Sequence, residues 1–109
     1  MSKYYKLIIL PEAQKDIRDI IIYIVKELEA PKAALNLQET FKKTIDSLKE
    51  KPKRIRLIDE QPWKNIGVRK TRVKNYYIYF LVDDVELTVK ILAIIYIGRD
   101  QKRQLSKRL

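Results

Sequence analysis

The sequence predicts an α+β domain: an N-terminal strand, an antiparallel helix hairpin, then a C-terminal antiparallel sheet of three to four strands packed on the helices. Three observations predict it. Apolar residues recur at helical spacing from Pro11 to Lys51. A β-branched and aromatic run precedes them at Tyr4–Leu10. From Gly67 to Ile97, similar runs alternate with two-residue turn signals. At 109 residues the chain makes one domain, spanning 1–109, with room for one modest core. With only 2 Gly and 4 Pro, long regular elements are expected.

The first strand is YYKLIIL, Tyr4 to Leu10. Pro11 opens the first helix, because its missing N–H would be unpaired there anyway. Glu12 puts negative charge at the positive end of the helix dipole, while Leu10 offers no side-chain cap. The helix is expected to run to about Glu29. Ala13, Ile17, Ile20, Ile21, Ile24 and Leu28 share one face, and Lys15, Asp16, Arg18, Asp19 and Lys26 lie off it. Ile22 and Val25 fall outside the stripe, which predicts contacts on more than one side. Ala30-Pro31 breaks the helix and restarts it. The second helix is expected from Pro31 to Lys51, with the stripe Ala34, Leu37, Phe41, Ile45 and Leu48. So short a link folds the pair into a hairpin.

Lys51 to Asn65 reads as a polar connection with a short strand at Ile55–Ile58 and Trp63 capping the core. Gly67–Val73 is a basic strand. Lys74-Asn75 is a turn, with Asn tolerating left-handed geometry. Tyr76–Val82 is the next strand, Asp83-Asp84 a solvated turn, and Leu87–Ile97 the last strand. Turns this short join antiparallel neighbours. In the last strand Leu87, Val89, Ile91, Ala93, Ile95 and Ile97 form one apolar face, but Leu92, Ile94 and Tyr96 make the other apolar as well. The helices cover one face. The second is covered either by a partner protein or by the charged tail Arg99–Leu109 folding back.

Lys+Arg number 24 against Asp+Glu 14, a net charge of +10. Such a chain attracts nucleic acid, an acidic protein or an anionic membrane surface. Without Cys there is no disulfide or thiolate metal site, and without His the usual general base near neutral pH is gone. No metal or cofactor is expected. No apolar run reaches membrane-spanning length and the Met1 end has no apolar h-region, so a soluble cytoplasmic protein is expected.

No phosphate-binding loop, nucleophile triad or metal-ligand cluster is present in the sequence. What remains is cationic and phenolic: Arg69, Lys70, Arg72 and Lys74, then Tyr76, Tyr77 and Tyr79, then Tyr96, Arg99, Lys102 and Arg103. Cations hold phosphates and flat rings stack on bases. Arg and Lys can also stabilise the pentacoordinate phosphate of RNA cleavage, with the proton left to Lys, Tyr or positioning alone. The plainer alternative is a binding surface without chemistry.

The segments LIILPEAQKDIRDIIIYI, AALNLQETFKKTIDSLKEKP, VRKTRVKNYYIYFLVDD and ILAIIYIGRD, in this order, resemble the RelE/ParE superfamily of bacterial type II toxin–antitoxin toxins over nearly the whole chain. The resemblance implies a growth-arresting toxin linked to plasmid stabilization. A co-encoded acidic antitoxin would wrap around it in a hetero-oligomer. RelE-like members cut mRNA on the ribosome, and ParE-like members inhibit DNA gyrase. RelE-like cleavage uses Lys residues on the basic strand, a middle-strand Arg, an Arg after the last strand's Gly and a C-terminal Tyr. On that pattern Arg99, Arg72, Lys70 and Tyr96 are catalytic if the protein is a metal-independent endoribonuclease. Arg69, Lys74, Tyr77, Lys102 and Arg103 would bind the target or nucleic acid. Tyr79, Leu92 and Ile94 would face the antitoxin. Tyr77 stands at the middle-strand Arg position, Asp100 follows Arg99, and no Tyr lies beyond Tyr96. The ParE-like branch, with gyrase as target, is therefore favoured over ribosome-dependent cleavage. A third reading is a non-toxic nucleic-acid-binding module.

Overall fold

Two prolines set where the helices begin. In the computed structural model, which describes residues 4–108, Pro11 and Pro31 occupy first-turn positions of α1 (Pro11–Lys26) and α2 (Pro31–Ser47). Both helices end sooner than the periodicity predicts. Glu29 and Lys51 adopt left-handed backbone (φ 49° and 45°), which no helix continues. β1 (Lys6–Ile9) precedes the hairpin. After it come a 3₁₀ turn (Pro52–Arg54), the short α3 (Trp63–Ile66), β2 (Val68–Val73), β3 (Tyr76–Asp83), β4 (Thr88–Tyr96) and α4 (Gln101–Ser106).

The sheet order is β1-β4-β3-β2. β2, β3 and β4 pair antiparallel, as their short turns require. β1 pairs parallel with β4, Lys6 opposite Thr88 and Ile9 opposite Ile91, so the sheet is mixed rather than purely antiparallel. A parallel neighbour needs a long crossover, and the helix hairpin lies within it. In the β2–β3 turn, Lys74 rather than Asn75 takes the left-handed conformation, at φ 51°. The predicted strand at Ile55–Ile58 reduces to one bridge, Leu57 to Arg69, beside an Ile58 N–H to Val68 bond of 3.0 Å.

The helices cover one face of the sheet. Ala13, Ile24, Leu37, Phe41, Ile45 and Leu48 bury against Val73, Ile78, Phe80, Val89, Ile91 and Ile94. Ile22 and Val25 do not join them. They stay 44% and 41% exposed, so α1 packs on one side only.

A β-bulge corrects the face assignment of the last strand. Tyr79 lies opposite Ala93 and Phe80 opposite Ile91, so Leu92 is an extra residue. Val89 and Ile91 face the helices, then Ile94 does. Leu92, Ala93 and Ile95 face away and pack with Ile58, Trp63, Val68, Tyr79 and Leu105 in a second cluster. The charged tail is not a tail: it forms α4, whose N-cap Asp100 accepts the Arg103 N–H at 3.2 Å and whose Leu105 is buried. The chain itself therefore closes the second face. Tyr79 and Leu92 are buried beneath it and Ile94 beneath the helices, so these three offer the antitoxin no open surface.

The Asp83-Asp84 turn is anchored rather than merely solvated. Asp83 accepts the Val85 and Glu86 N–H groups at 2.9 and 3.0 Å, and Asp84 accepts the Tyr5 hydroxyl at 2.6 Å and pairs with Lys53 at 2.6 Å. No helix among the described residues is long and apolar enough to cross a membrane.

Candidate functional site

The sheet divides the cationic and phenolic residues that sequence reasoning grouped together. Cross-strand partners project to the same face. Lys70 lies opposite Tyr79 and Arg72 opposite Tyr77, and both tyrosines belong to the α4 side. There the Lys70 ammonium sits 4.2 Å from the centre of the Tyr77 ring, a cation–π contact. Arg72 is exposed and curls over the turn, its Nε donating to the Lys74 carbonyl at 2.7 Å. Lys102 and Arg103 are exposed on α4.

Arg69 does not belong to a free surface. It lies opposite Phe80, on the helix side, and its Nη1 donates to the Ile55 carbonyl at 2.6 Å. Its Nε is buried with no hydrogen-bond partner among the described residues. The guanidinium ties the connection after α2 to the edge of β2, which corrects the expectation that Arg69 contacts a target.

The other functional candidates gather on the helix side. The bulge that turns Ile94 towards the helices turns Tyr96, two residues on, the same way. Its ring meets Tyr76 edge-on at 5.8 Å, and Tyr76 meets Phe41 at 5.6 Å. Across from them stand Tyr23 and Leu28 of the α1 end. Between lies an open groove of about 850 Å³ whose floor includes Ile20, Ile24 and Leu37 and whose rim carries Lys74 and Arg99. Tyr23, Leu28 and Tyr96 are 55%, 56% and 49% exposed. Three large apolar or aromatic side chains left half in water around one depression mark an interaction surface. Gly98 belongs to this design: a Cβ there would run into the Tyr96 ring.

Tyr23 and Leu28 were missed as site residues. Leu28 lies on the apolar stripe that predicts the core, and Tyr23 is an aromatic residue off that stripe. That off-stripe aromatic was the available signal.

The groove can bind but is poorly equipped for proton transfer. Burial, then the neighbouring Tyr96 and Tyr23, push the Tyr76 phenol above its ordinary value, so it stays protonated near neutral pH. The one carboxylate in the lining, Asp19, pairs with Lys15 at 2.9 Å. Among the described residues no three His, Cys, Asp or Glu side chains gather to hold a metal ion. Of the expected catalytic set, Arg99 and Tyr96 lie at the groove, Arg72 leaves β2 on the α4 side but bonds the carbonyl of the groove-rim residue Lys74, and Lys70 lies on the α4 side over Tyr77. Lys70 alone of the four is held on the opposite face of the sheet.

A family model described as "ParE toxin of type II toxin-antitoxin system, parDE" matches residues 7–101. No curated protein sequence matches the chain. Solved structures with the same fold include a chromosomal ParDE toxin–antitoxin system from P. aeruginosa, with 19% identity, TM-score 0.71, and 87% of this chain and 98% of that one covered. A second is a RelBE toxin–antitoxin complex from Mycobacterium tuberculosis, with 17% identity, TM-score 0.59, and 85% and 98% covered. A third is a double mutant of the E. coli toxin RelE in the free state, with 17% identity, TM-score 0.66, and 97% and 99% covered.

Proposed function

The chain belongs to the ParE toxin family of type II toxin–antitoxin systems, and on that premise we propose that it arrests bacterial growth by binding DNA gyrase, not by cutting RNA. The observation that carries this reading is the division of the cations by the sheet. Cleavage of RNA needs its cations around one phosphate, and Lys70, held over the Tyr77 ring on the α4 side, lies across the sheet from Arg99 and Tyr96 at the groove. A groove with apolar floor, phenolic walls and a cationic rim is suited to a protein segment.

A cognate acidic antitoxin neutralises the toxin by occupying this groove. An amphipathic segment buries its apolar side against Tyr23, Leu28 and Leu37, and its carboxylates meet Lys74 and Arg99. The net charge of +10 speeds that encounter. The two neighbours above that are toxin–antitoxin assemblies support such a partner.

The test is expression of the protein alone, with gyrase supercoiling and mRNA integrity assayed in parallel. Loss of supercoiling with intact mRNA is expected. Codon-specific mRNA cuts would favour ribosome-dependent cleavage instead, and normal growth would sink both toxin readings. Tyr23→Ala should leave the fold intact and weaken the antitoxin complex by about 2 kcal/mol, roughly thirtyfold in Kd. An unchanged Kd removes the groove from the antitoxin interface.

A further inference from the structure

We propose that Gln101 is the positioning residue of Arg99, held in register by the buried phenol of Tyr79; this rests on the reading above that Arg99 contacts the partner.

Arg99 follows the sheet on the exposed loop between β4 and α4. A cation on such a loop would normally sample many positions and lose affinity to the entropy of ordering it. Here one side chain gathers the loop. The Gln101 amide nitrogen donates to the carbonyls of Tyr96 and Arg99, at 2.8 and 2.9 Å, so it spans both ends of the Tyr96–Arg99 segment. A backbone bond from the Arg99 N–H to the Tyr96 carbonyl, at 3.0 Å, closes the same turn. The other end of the amide, Oε1, accepts the Tyr79 hydroxyl at 2.8 Å.

The orientation of the Gln101 amide is fixed by this chemistry. Both loop carbonyls only accept, so the NH₂ group must face them, which leaves Oε1 for Tyr79. Tyr79 is 1% exposed within the second core cluster. Its ring cannot shift without opening that cluster, so a rigid strand residue sets the angle of Gln101, and Gln101 sets the loop. Gln101 is a positioning residue, acting through Arg99.

Gln101 also opens α4, so support of that helix is the competing explanation. Gln101→Glu separates the two. An acidic residue is favoured in the first turn of a helix, but a carboxylate cannot donate to the two carbonyls and repels them. Backbone amide exchange provides the readout. The Arg99 N–H reports the loop. The Ile97 N–H, bonded to the Asn75 carbonyl at 2.9 Å, and the Gln104 N–H, bonded to the Asp100 carbonyl at 3.0 Å, report the sheet end and the helix.

In Gln101→Glu, Arg99 amide exchange should rise at least about tenfold, while Ile97 and Gln104 keep their rates. Tyr79→Phe, which keeps the ring in the core, should raise Arg99 exchange in the same selective way. In both variants growth arrest should weaken in the direction of Arg99→Ala. Unchanged Arg99 exchange overturns the proposal, and so does a rise shared equally by Ile97 and Gln104. Full toxicity of a folded Arg99→Ala protein defeats the functional reading of Arg99 instead, and the exchange rates alone then decide the role of Gln101.

Discussion

Asp16 and Arg108 join the two ends of the chain across the edge of β4. The Arg108 Nη2 lies 2.6 Å from Asp16 Oδ1, while Asp16 Oδ2 accepts the Ile94 N–H at 3.0 Å and Arg108 Nη1 donates to the Leu92 carbonyl at 3.2 Å. β1 pairs with β4 only as far as Ile91, so from Leu92 onward no strand among the described residues lies beside that edge. An unpaired edge is a template for unwanted pairing. Here a carboxylate and a guanidinium take its donor and acceptor, and in doing so they tie α1 to the C-terminal helix.

Asp16→Ala should therefore be costly although Asp16 lies off the apolar stripe of its helix. Both side chains are only 17% exposed. Removing the carboxylate strands the Ile94 N–H and leaves Arg108 with the exposed Glu12 at 3.2 Å. A loss of about 2–3 kcal/mol is expected. It should appear in urea unfolding as a lower midpoint with the slope preserved. A loss under about 0.5 kcal/mol would place the pair with ordinary surface ion pairs.

Alkaline stability should depend on Tyr79. Burial, with smaller contributions from Glu60 and Tyr77, raises its phenol well above the ordinary value of 10.0. The sign follows from proton counting. Above the unfolded value the native state holds a proton that the unfolded chain releases, so stability is complete below about pH 10 and falls as pH rises further. The loss is at most about 1.4 kcal/mol per pH unit for this group. Absorbance titration should show Tyr79 ionising only with unfolding, and Tyr79→Phe should flatten the alkaline decline. An unaltered decline in that variant would assign it to other groups.

Helix positions and strand order of the antiparallel part were legible because they rest on local rules: a Pro at each helix start, a three-to-four-residue stripe, alternation broken by short turns. The sequence resemblance likewise pointed to the family. The Leu92 bulge was not legible, because an apolar run such as ILAIIYI reads the same with or without an extra residue. Missing it put Ile94 on the wrong face and left Tyr96 unconnected to Tyr76 and Tyr23. The helix of the tail was hidden for a related reason. Leu105 is its one buried anchor, too little for a periodic signal, although Asp100 is a proper N-cap. Arg69 and Arg72 looked alike in a basic strand, yet neighbouring residues point to opposite faces, and only pairing shows which one is held inward.

Lys74 lets stability and binding be separated at one position. Its φ of 51° lies in the region that glycine occupies without penalty and that other residues enter at about 1 kcal/mol. Its exposed side chain forms part of the groove rim. Lys74→Gly should thus hold or raise the melting temperature, by a few degrees for a domain this size. The same variant should bind the antitoxin less tightly and with a weaker salt dependence, because one cation has left the rim. Lys74→Asn, which tolerates the same backbone and also lacks the charge, should give the same weaker binding. If either variant binds as tightly as the parent at low ionic strength, the rim charge at this position plays no part in recognition.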